Sequence, residues 1–398
     1  MDYTEFLNTS YTAFHATANS VKMLEEAGFT RLSRIDKWNI QAGGSYYLTV
    51  NDSAFIAFRI GKAQGALTLA CAHTDSPALK VKGQALLDSP QGKRINVEAY
   101  GGAILRSFYD IPLKVAGRVF TQENGKIRSR LVTSSYTVNV PSLCVHHDPS
   151  RGNAEPSVQF DMAPLLGNAE DVYSSLGLAD VLDADLFVVP AVQAFESGVE
   201  GENISSPRID DLTSVYACVR SLVEAQPHGV AVVACFDNEE IGSNTKQGAS
   251  SAFLQETVQR IYDAIGENLP AACENGLALS LDNGHATHPA HAEKSDPLAR
   301  TLLGGGVMIK HHSNYATDGY SSALVKSLLR SHDIPYQDYY NHSDVRCGGT
   351  IGLLVSRALV IPTVDVGLAQ LAMHSAVETA AKKDIESIRR LLCAAFER

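Results

Sequence analysis

Cys-x-x-Cys pairs are absent, and the seven cysteines are scattered and odd in number. That argues against a disulfide framework and a thiolate zinc site, and favours a reducing, cytoplasmic setting. No apolar run reaches the roughly 18 residues that a membrane-spanning helix needs. The opening stretch, MDYTEFLNTSYTAFH, has neither a basic n-region nor an apolar h-region, so no signal peptide is read there. Positive charge is in deficit: 33 Lys and Arg stand against 44 Asp and Glu, a net charge of −11. Nucleic acid and anionic membrane are therefore poor partners. Repeats, low-complexity tracts and long polar linkers are also missing. What remains is an ordinary globular profile, 45% hydrophobic and 19% charged over 398 residues, long enough for two domains.

The segment HGVAVVACFDNEEIGS, His228 to Ser243, carries the most information. Val230 to Phe236 is a continuous apolar run, as in a strand buried on both faces of a parallel or mixed sheet. It ends in Asp237, Asn238, Glu239 and Glu240, and open α/β sheets place their chemistry at the carboxyl ends of strands. Two adjacent glutamates there are costly to bury without a partner, and a divalent cation is the natural one. A similar buried run, ALTLACA from Ala66 to Ala72, ends in His73-Thr74-Asp75.

The surrounding spacing predicts helical residues from Phe6 to Ala27, stopped at Gly28, and strands at Ser45–Val50 and Ser53–Ile60. From about Asp88 to Val199 the strand–helix rhythm gives way to short alternating segments, RINVEAY, LKVAGRVF, KIRSRLV and TVNV, with an Asn124-Gly125 hairpin turn. This reads as an inserted, mainly β domain over residues 89–199, inside a discontinuous α/β domain of residues 1–88 and 200–398. Further on, helices are predicted at Pro207–Ala225, Ser251–Ile265, Ser321–Ser331, up to Leu359, and from Ala376 to Phe396. Strands are predicted at Leu277–Leu281, Val307–Lys310 and Val360–Val366.

Five strand ends or helix starts carry hard-metal ligand types: His73 and Asp75; Asp210 and Asp211; Glu239 and Glu240; Asp282; and His374. Imidazole mixed with carboxylate suits zinc, cobalt or manganese. The carboxylates are too many for one tetrahedral ion, whereas two ions sharing a bridging carboxylate would use them all. Singly, each has an ordinary explanation, such as a turn or a helix N-terminus. Their joint recurrence at strand ends points to a common site. The run His285, His288 and His291 is interrupted by Pro289, and Gly304-Gly305-Gly306 lacks the Lys-Ser/Thr of a phosphate loop. Cys218 and Cys235 read as core packing.

In order, AHTDSPALKVK, SPRIDDLTS, FDNEEIGS, LDNGHATHP, GVMIKHHSNYAT, CGGTIG and QLAMHSAVE resemble the aspartyl aminopeptidase family of di-zinc metallopeptidases across nearly the whole chain. The resemblance implies a mixed-sheet peptidase domain flanked by helices, with an inserted β domain that mediates dimerisation, and dimers built into a tetrahedral dodecamer. It implies two zinc ions, one held by His73, Asp210 and Asp282, the other by Asp210, Glu240 and His374. Glu239 would be the general base and Asp75 the support for His73. Lys310 would meet the acidic side chain of a substrate peptide's free N-terminal residue, His285 and Tyr315 would contact substrate, and His146 would reach a neighbouring subunit's active site.

Two departures stand out. Asp211 lies where many relatives are expected to carry asparagine, and Asn283-Gly284 replaces a more apolar pair. The alternatives are an aminopeptidase for neutral residues, a deacylase of the same di-zinc group, or a shell-forming scaffold with structural metal.

Overall fold

The computed structural model describes every residue except 63–64 and 151–153. Its centre is a nine-stranded mixed sheet whose order, from one edge, is Thr30–Arg31, Ser45–Val50, Ala54–Ile60, Val230–Phe236, Leu67–His73, Leu277–Leu281, Thr363–Gly367, Val307–His311 and Tyr336–Tyr340. The four strands Val230–Phe236, Leu67–His73, Leu277–Leu281 and Thr363–Gly367 are mutually parallel and adjacent. All four are buried at every position. Period-two alternation sends Val230, Val232, Ala234 and Phe236 to one face, and Ala231, Val233 and Cys235 to the other. Helices Ile209–Glu224 and Lys382–Phe396 cover the second face, and Phe253–Ile265 and Gly352–Leu359 the first. Each buried valine contributes about 1.5–3 kcal/mol relative to exposure, so this doubly covered sheet is the rigid frame of the molecule.

A second, wholly antiparallel sheet has the order Lys126–Thr133, Leu113–Glu123, Val181–Pro190, Ala78–Ser89, Gly92–Tyr100 and Leu165–Gly167. It has its own core around Leu79, Val97, Val115, Leu186 and Val188. Its first strand in chain order, Ala78–Ser89, begins only five residues after His73, so the segment that carries Thr74 and Asp75 links the two sheets. Asn124 and Gly125 both have positive φ, as a two-residue hairpin turn demands. A third sheet joins Phe195–Ser197, Asn203–Ser206, Glu378–Ala381, Ala369–Leu371 and Gly284–His285 beside the carboxyl ends of the parallel strands.

Several elements differ from their sequence-based expectation: the strand expected from Val360 starts at Thr363, since Val360 caps the preceding helix, and TVNV forms only isolated bridges. The N-terminal helical run is two helices, Tyr3–Thr9 and Ala13–Glu26, the first capped by Asp2. The C-terminal helix starts at Lys382 rather than Ala376, because Glu378–Ala381 pairs as a strand with Asn203–Ser206. The helix expected from Pro207 is non-helical at Asp210 and Asp211, and the peptide bond between them is cis.

Candidate metal centre and active site

The four parallel strands end on the same side of the sheet, and each end delivers a polar side chain to one place. His73 closes Leu67–His73, Asp282 follows Leu277–Leu281, and the turn Glu239–Ile241 follows Val230–Phe236. His374 lies seven residues beyond Thr363–Gly367. Asp210 comes from the irregular start of Ile209–Glu224, which packs across the sheet. Gly367 permits the convergence: a Cβ there would fall 2.0 Å from the carbonyl oxygen of Asp282, so only glycine lets these two segments approach so closely.

Asp210 is central and buried. Its Oδ1 lies 3.4 Å from His73 Nε2, and its Oδ2 lies 3.5 Å from His374 Nε2. Glu240 Oε1 is 3.4 Å from the same His374 nitrogen. Among the described residues, three groups have ligand atoms close enough to hold an ion: His73 with Asp210 and Asp282, His73 with Glu239 and Glu240, and Asp210 with Glu240 and His374. The first and third share Asp210, the residue that the family resemblance implies as the bridge.

The electrostatics are those of a cation site. Burial and neighbouring carboxylates push Glu240 well above the usual carboxylate range. They bring Glu239 up to about 7, burial being the larger effect. Asp282 is also raised, chiefly by burial and against the pull of Lys310. Burial works against charge on His73 and His374, but Asp210 and their other carboxylate neighbours outweigh it; His374 is pushed up to about 10. Asp210 is held below the usual range: burial would raise it, but the two imidazoles more than offset that. Asp210 Oδ1 has no hydrogen-bond partner despite being buried. An orphaned carboxylate oxygen among carboxylates and imidazoles fits divalent metal, and the donor set suits zinc.

The surrounding shell fixes these side chains. Asp75 accepts the backbone N–H of Glu239 at 3.1 Å through Oδ1. Through Oδ2 it accepts that of Glu240 at 3.2 Å and the Tyr100 hydroxyl at 2.7 Å. Its Oδ1 also lies 3.5 Å from His73 Nδ1, and its backbone oxygen lies 3.1 Å from the same nitrogen. Tyr100 ends a strand of the second sheet and in turn accepts from Asn238 Nδ2 at 2.8 Å. Asp211, wholly buried, accepts the His73 amide at 3.3 Å through Oδ2, while its Oδ1 is unpartnered.

Sequence reasoning missed Glu378, which is 2% exposed. It accepts the amides of Asp210 and His374, and is pushed up to about 8 by burial and by Asp210. The available signal was a glutamate inside QLAMHSAVE, four residues after His374, which looked like the start of a solvated helix. Arg208, Asn238 and His374 all have φ in the left-handed region, which for non-glycine residues stores strain and clusters at functional sites.

Of the residues linked to substrate, Lys310 is 2% exposed. It donates to Asp282 O at 3.2 Å, Asp282 Oδ2 at 3.1 Å and Asn283 O at 3.0 Å. Its Nζ lies 5.1 Å from the Tyr315 ring centroid. His285 follows Asp282 by three residues; burial and the Lys310 charge lower its pKa, which Asp210 and His374 also influence. His146 stands apart on an exposed loop of residues 141–147. His288 and His291 are also exposed, their rings 5.2 Å apart, and His291 faces Glu293.

The chain matches the family model described as aminopeptidase I zinc metalloprotease (M18) over residues 6–176 and 172–396. It is 36% identical to a probable M18 family aminopeptidase 2 of Pseudomonas savastanoi pv. phaseolicola, over 98% of this chain and 96% of the relative. It is 35% identical to the protein of the same description in Pseudomonas aeruginosa, with the same coverage. Among solved structures, Ape4 in its complex with Nbr1 superposes with a TM-score of 0.94 at 28% identity, covering 99% of this chain and 84% of that one. The M18 aminopeptidase of Thermotoga maritima shares the fold, with a TM-score of 0.88 at 23% identity and coverage of 99% and 95%. With the family model spanning nearly its whole length, this chain belongs to the M18 family of zinc aminopeptidases.

Proposed function

We propose that the chain removes single N-terminal residues, preferentially Asp or Glu, from peptides with a free amino terminus, using two divalent ions. His73, Asp210 and Asp282 would hold one ion, and Asp210, Glu240 and His374 the other. The observation that carries this reading is the position of the Asp210 carboxylate, one oxygen toward His73 and the other toward His374, with Oδ1 lacking any hydrogen bond. Zinc bound here would polarise the scissile carbonyl and make water acidic enough to ionise near neutral pH.

The chain's own groups then divide the work. Glu239, held by the bond from its amide to Asp75, takes the proton from the attacking water and passes it to the departing amine. Its elevated pKa suits both steps. Asp75 fixes the glutamate turn and orients His73. The surplus of carboxylates in a site rimmed by His285 and Tyr315 favours a substrate with a free ammonium group. Lys310 supplies the cation for an acidic side chain, shared with Asp282. The deciding experiment is Glu239→Gln: zinc content near wild type, with turnover down by about 10²–10⁴-fold, the usual worth of a general base. Near-normal turnover would remove Glu239 from the mechanism.

One observation favours a second reading, an aminopeptidase for neutral residues or a deacylase. All three Lys310 donors already have acceptors within the chain. Assaying aminoacyl anilides of Asp, Glu and Leu beside N-acylated amino acids separates these.

We further infer a homo-oligomer. The fold is that of the S. cerevisiae mApe1 dodecamer, at a TM-score of 0.85 and 24% identity. Residues 89–199 would serve as the dimerisation domain, since Leu143, Val145, Phe160 and Leu182 are more than half exposed there. His146, on the same exposed loop, would complete a neighbour's site. A cytoplasmic location agrees with the seven cysteines, all of them free. No helix among the described residues is long and apolar enough to cross a membrane.

A further inference from the structure

Behind the metal centre lies a separate cavity of about 370 Å³. It sits between the N-terminal helices, the antiparallel sheet and the far side of the wall formed by Asp75, Tyr100 and Asn238. Its charged groups are unevenly satisfied. Asp75 is committed to the Glu239 and Glu240 amides and to Tyr100. Asp185 pairs with Arg118 at 2.8 Å. Asp237, pushed up to about 7 by burial and by Asp75, accepts from the Asn238 amide at 2.7 Å.

The remaining cations of the lining form no ion pair among the described residues, although the Arg208 guanidinium lies 5.5 Å from the centroid of the Tyr11 ring. Arg208 is 7% exposed and forms no ion pair among the described residues. Its Nη1 and Nη2 donate only to the carbonyls of Pro190 and Leu7, at 3.1 and 3.4 Å. Its Nε has no partner at all. A guanidinium is not deprotonated in proteins, so the charge persists. His15 is pushed down to about 4 by burial and by Arg208, so it stays neutral and adds no second positive charge. Glu378 acts on Arg208 from a distance, but both its oxygens serve the Asp210 and His374 amides. Lys80 and the exposed Lys246 line the same cavity and make no hydrogen bond or ion pair among the described residues. A buried guanidinium without a counter-ion costs several kcal/mol, which an anion beside it would offset. The rest of the lining is mixed: Phe187, Val189 and Pro190 form an apolar stretch, and Thr12, Asn51 and Gln247 are among its neutral polar residues.

We propose that this cavity binds a small organic carboxylate, its anionic head on Arg208, with Lys80 and Lys246 completing the charge and its apolar body along Phe187 and Val189. This site is distinct from the metal centre and does not depend on the substrate assigned to it.

The test is calorimetric titration of the zinc-loaded full chain with benzoate and, separately, with inorganic phosphate. One saturable benzoate site is expected, at least about tenfold tighter than phosphate because the ring buries apolar surface. Arg208→Gln should weaken benzoate by at least about tenfold, the loss of a charge-assisted pair. Lys246→Glu, at an exposed position, should weaken it about threefold. His374→Ala should leave the affinity unchanged, which separates this cavity from carboxylate binding at the metal. The proposal fails if benzoate shows no saturable binding, if phosphate binds as tightly, or if affinity disappears in His374→Ala. It also fails if a folded Arg208→Gln binds as wild type. Should Arg208→Gln not fold, the pair Lys80→Met and Lys246→Glu decides: undiminished affinity overturns the assignment.

Discussion

Glu378 accepts the amide of Asp210 through one carboxylate oxygen at 2.9 Å and the amide of His374 through the other at 2.6 Å. One side chain thus ties together two residues 164 positions apart in sequence, each presenting a ligand atom to the same space. His374 sits at φ +66, a conformation that only such fixing sustains in a non-glycine residue. Glu378→Ala should leave both amides unpaired and loosen the pair. Zinc affinity, measured by competition with a chelating dye, should fall by about 10–100-fold, the usual effect of losing such support. Glu378→Gln should also be impaired, because its NH₂ group cannot accept either amide N–H. Wild-type affinity in Glu378→Ala would show that the two ligands hold their places unaided.

In the proposed mechanism Asp75 acts chiefly through the glutamate turn that carries Glu239. Its carboxylate receives the Glu239 and Glu240 amides and the Tyr100 hydroxyl. Asp75→Asn replaces one acceptor oxygen with a donor facing an N–H, so the glutamate turn must shift. We expect kcat to fall by about 10–100-fold, with zinc content reduced less. Tyr100→Phe removes two hydrogen bonds, the one to Asp75 and the one from Asn238, but only the first bears on the Asp75 carboxylate; at about 0.5–1.5 kcal/mol for that bond, kcat should fall less than about tenfold. Equal losses in the two variants would mean that the hydroxyl, not the amide bonds, sets the turn.

Much of this was legible because strand and helix patterns are local. The run Val230–Phe236 declared a doubly buried strand, and three such runs led almost directly into ligand types, while His374 came only after a further loop. Parallel neighbours with all their chemistry at one end then follow from the fold class. Other features are set by tertiary partners. Glu378–Ala381 became a strand because Asn203–Ser206 offers it an edge, which no pattern in residues 376–396 encodes. The irregular start of the helix at Asp210 and Asp211 likewise depends on what surrounds it, since two aspartates at a helix N-terminus are favourable in isolation. The unpaired state of Arg208 could not be seen at all, because it depends on carboxylates that go elsewhere.

Removing the ions should expose the cost of gathering these carboxylates. Asp210, Asp211, Glu240 and Asp282 lie together, and among the described residues Lys310 is the one ammonium paired with them. A ligand present at about 1,000 times its Kd stabilises the folded state by ~4.1 kcal/mol. Chelation should therefore lower the Tm by several degrees, and added zinc should restore it. Asp210→Asn should start from a low Tm increment on zinc addition, since the shared ligand is gone. A chelated wild type that melts at the unchanged temperature would argue that metal contributes nothing to the fold.

Lys310 decides between the two substrate readings. Its ammonium is buried, pairs with Asp282 at 3.1 Å and faces the Tyr315 ring. If an acidic substrate shares that charge, Lys310→Met removes a charge-assisted contact worth ~1.5–3 kcal/mol for Asp and nothing for Leu. The ratio of kcat/KM for Asp over Leu should then drop by at least about tenfold. The ratio is the informative quantity, because the same substitution also strips Asp282 of its partner and lowers turnover on every substrate. A ratio unchanged in the variant, with both rates depressed together, would place Lys310 in the service of Asp282 alone and leave the neutral-residue reading standing.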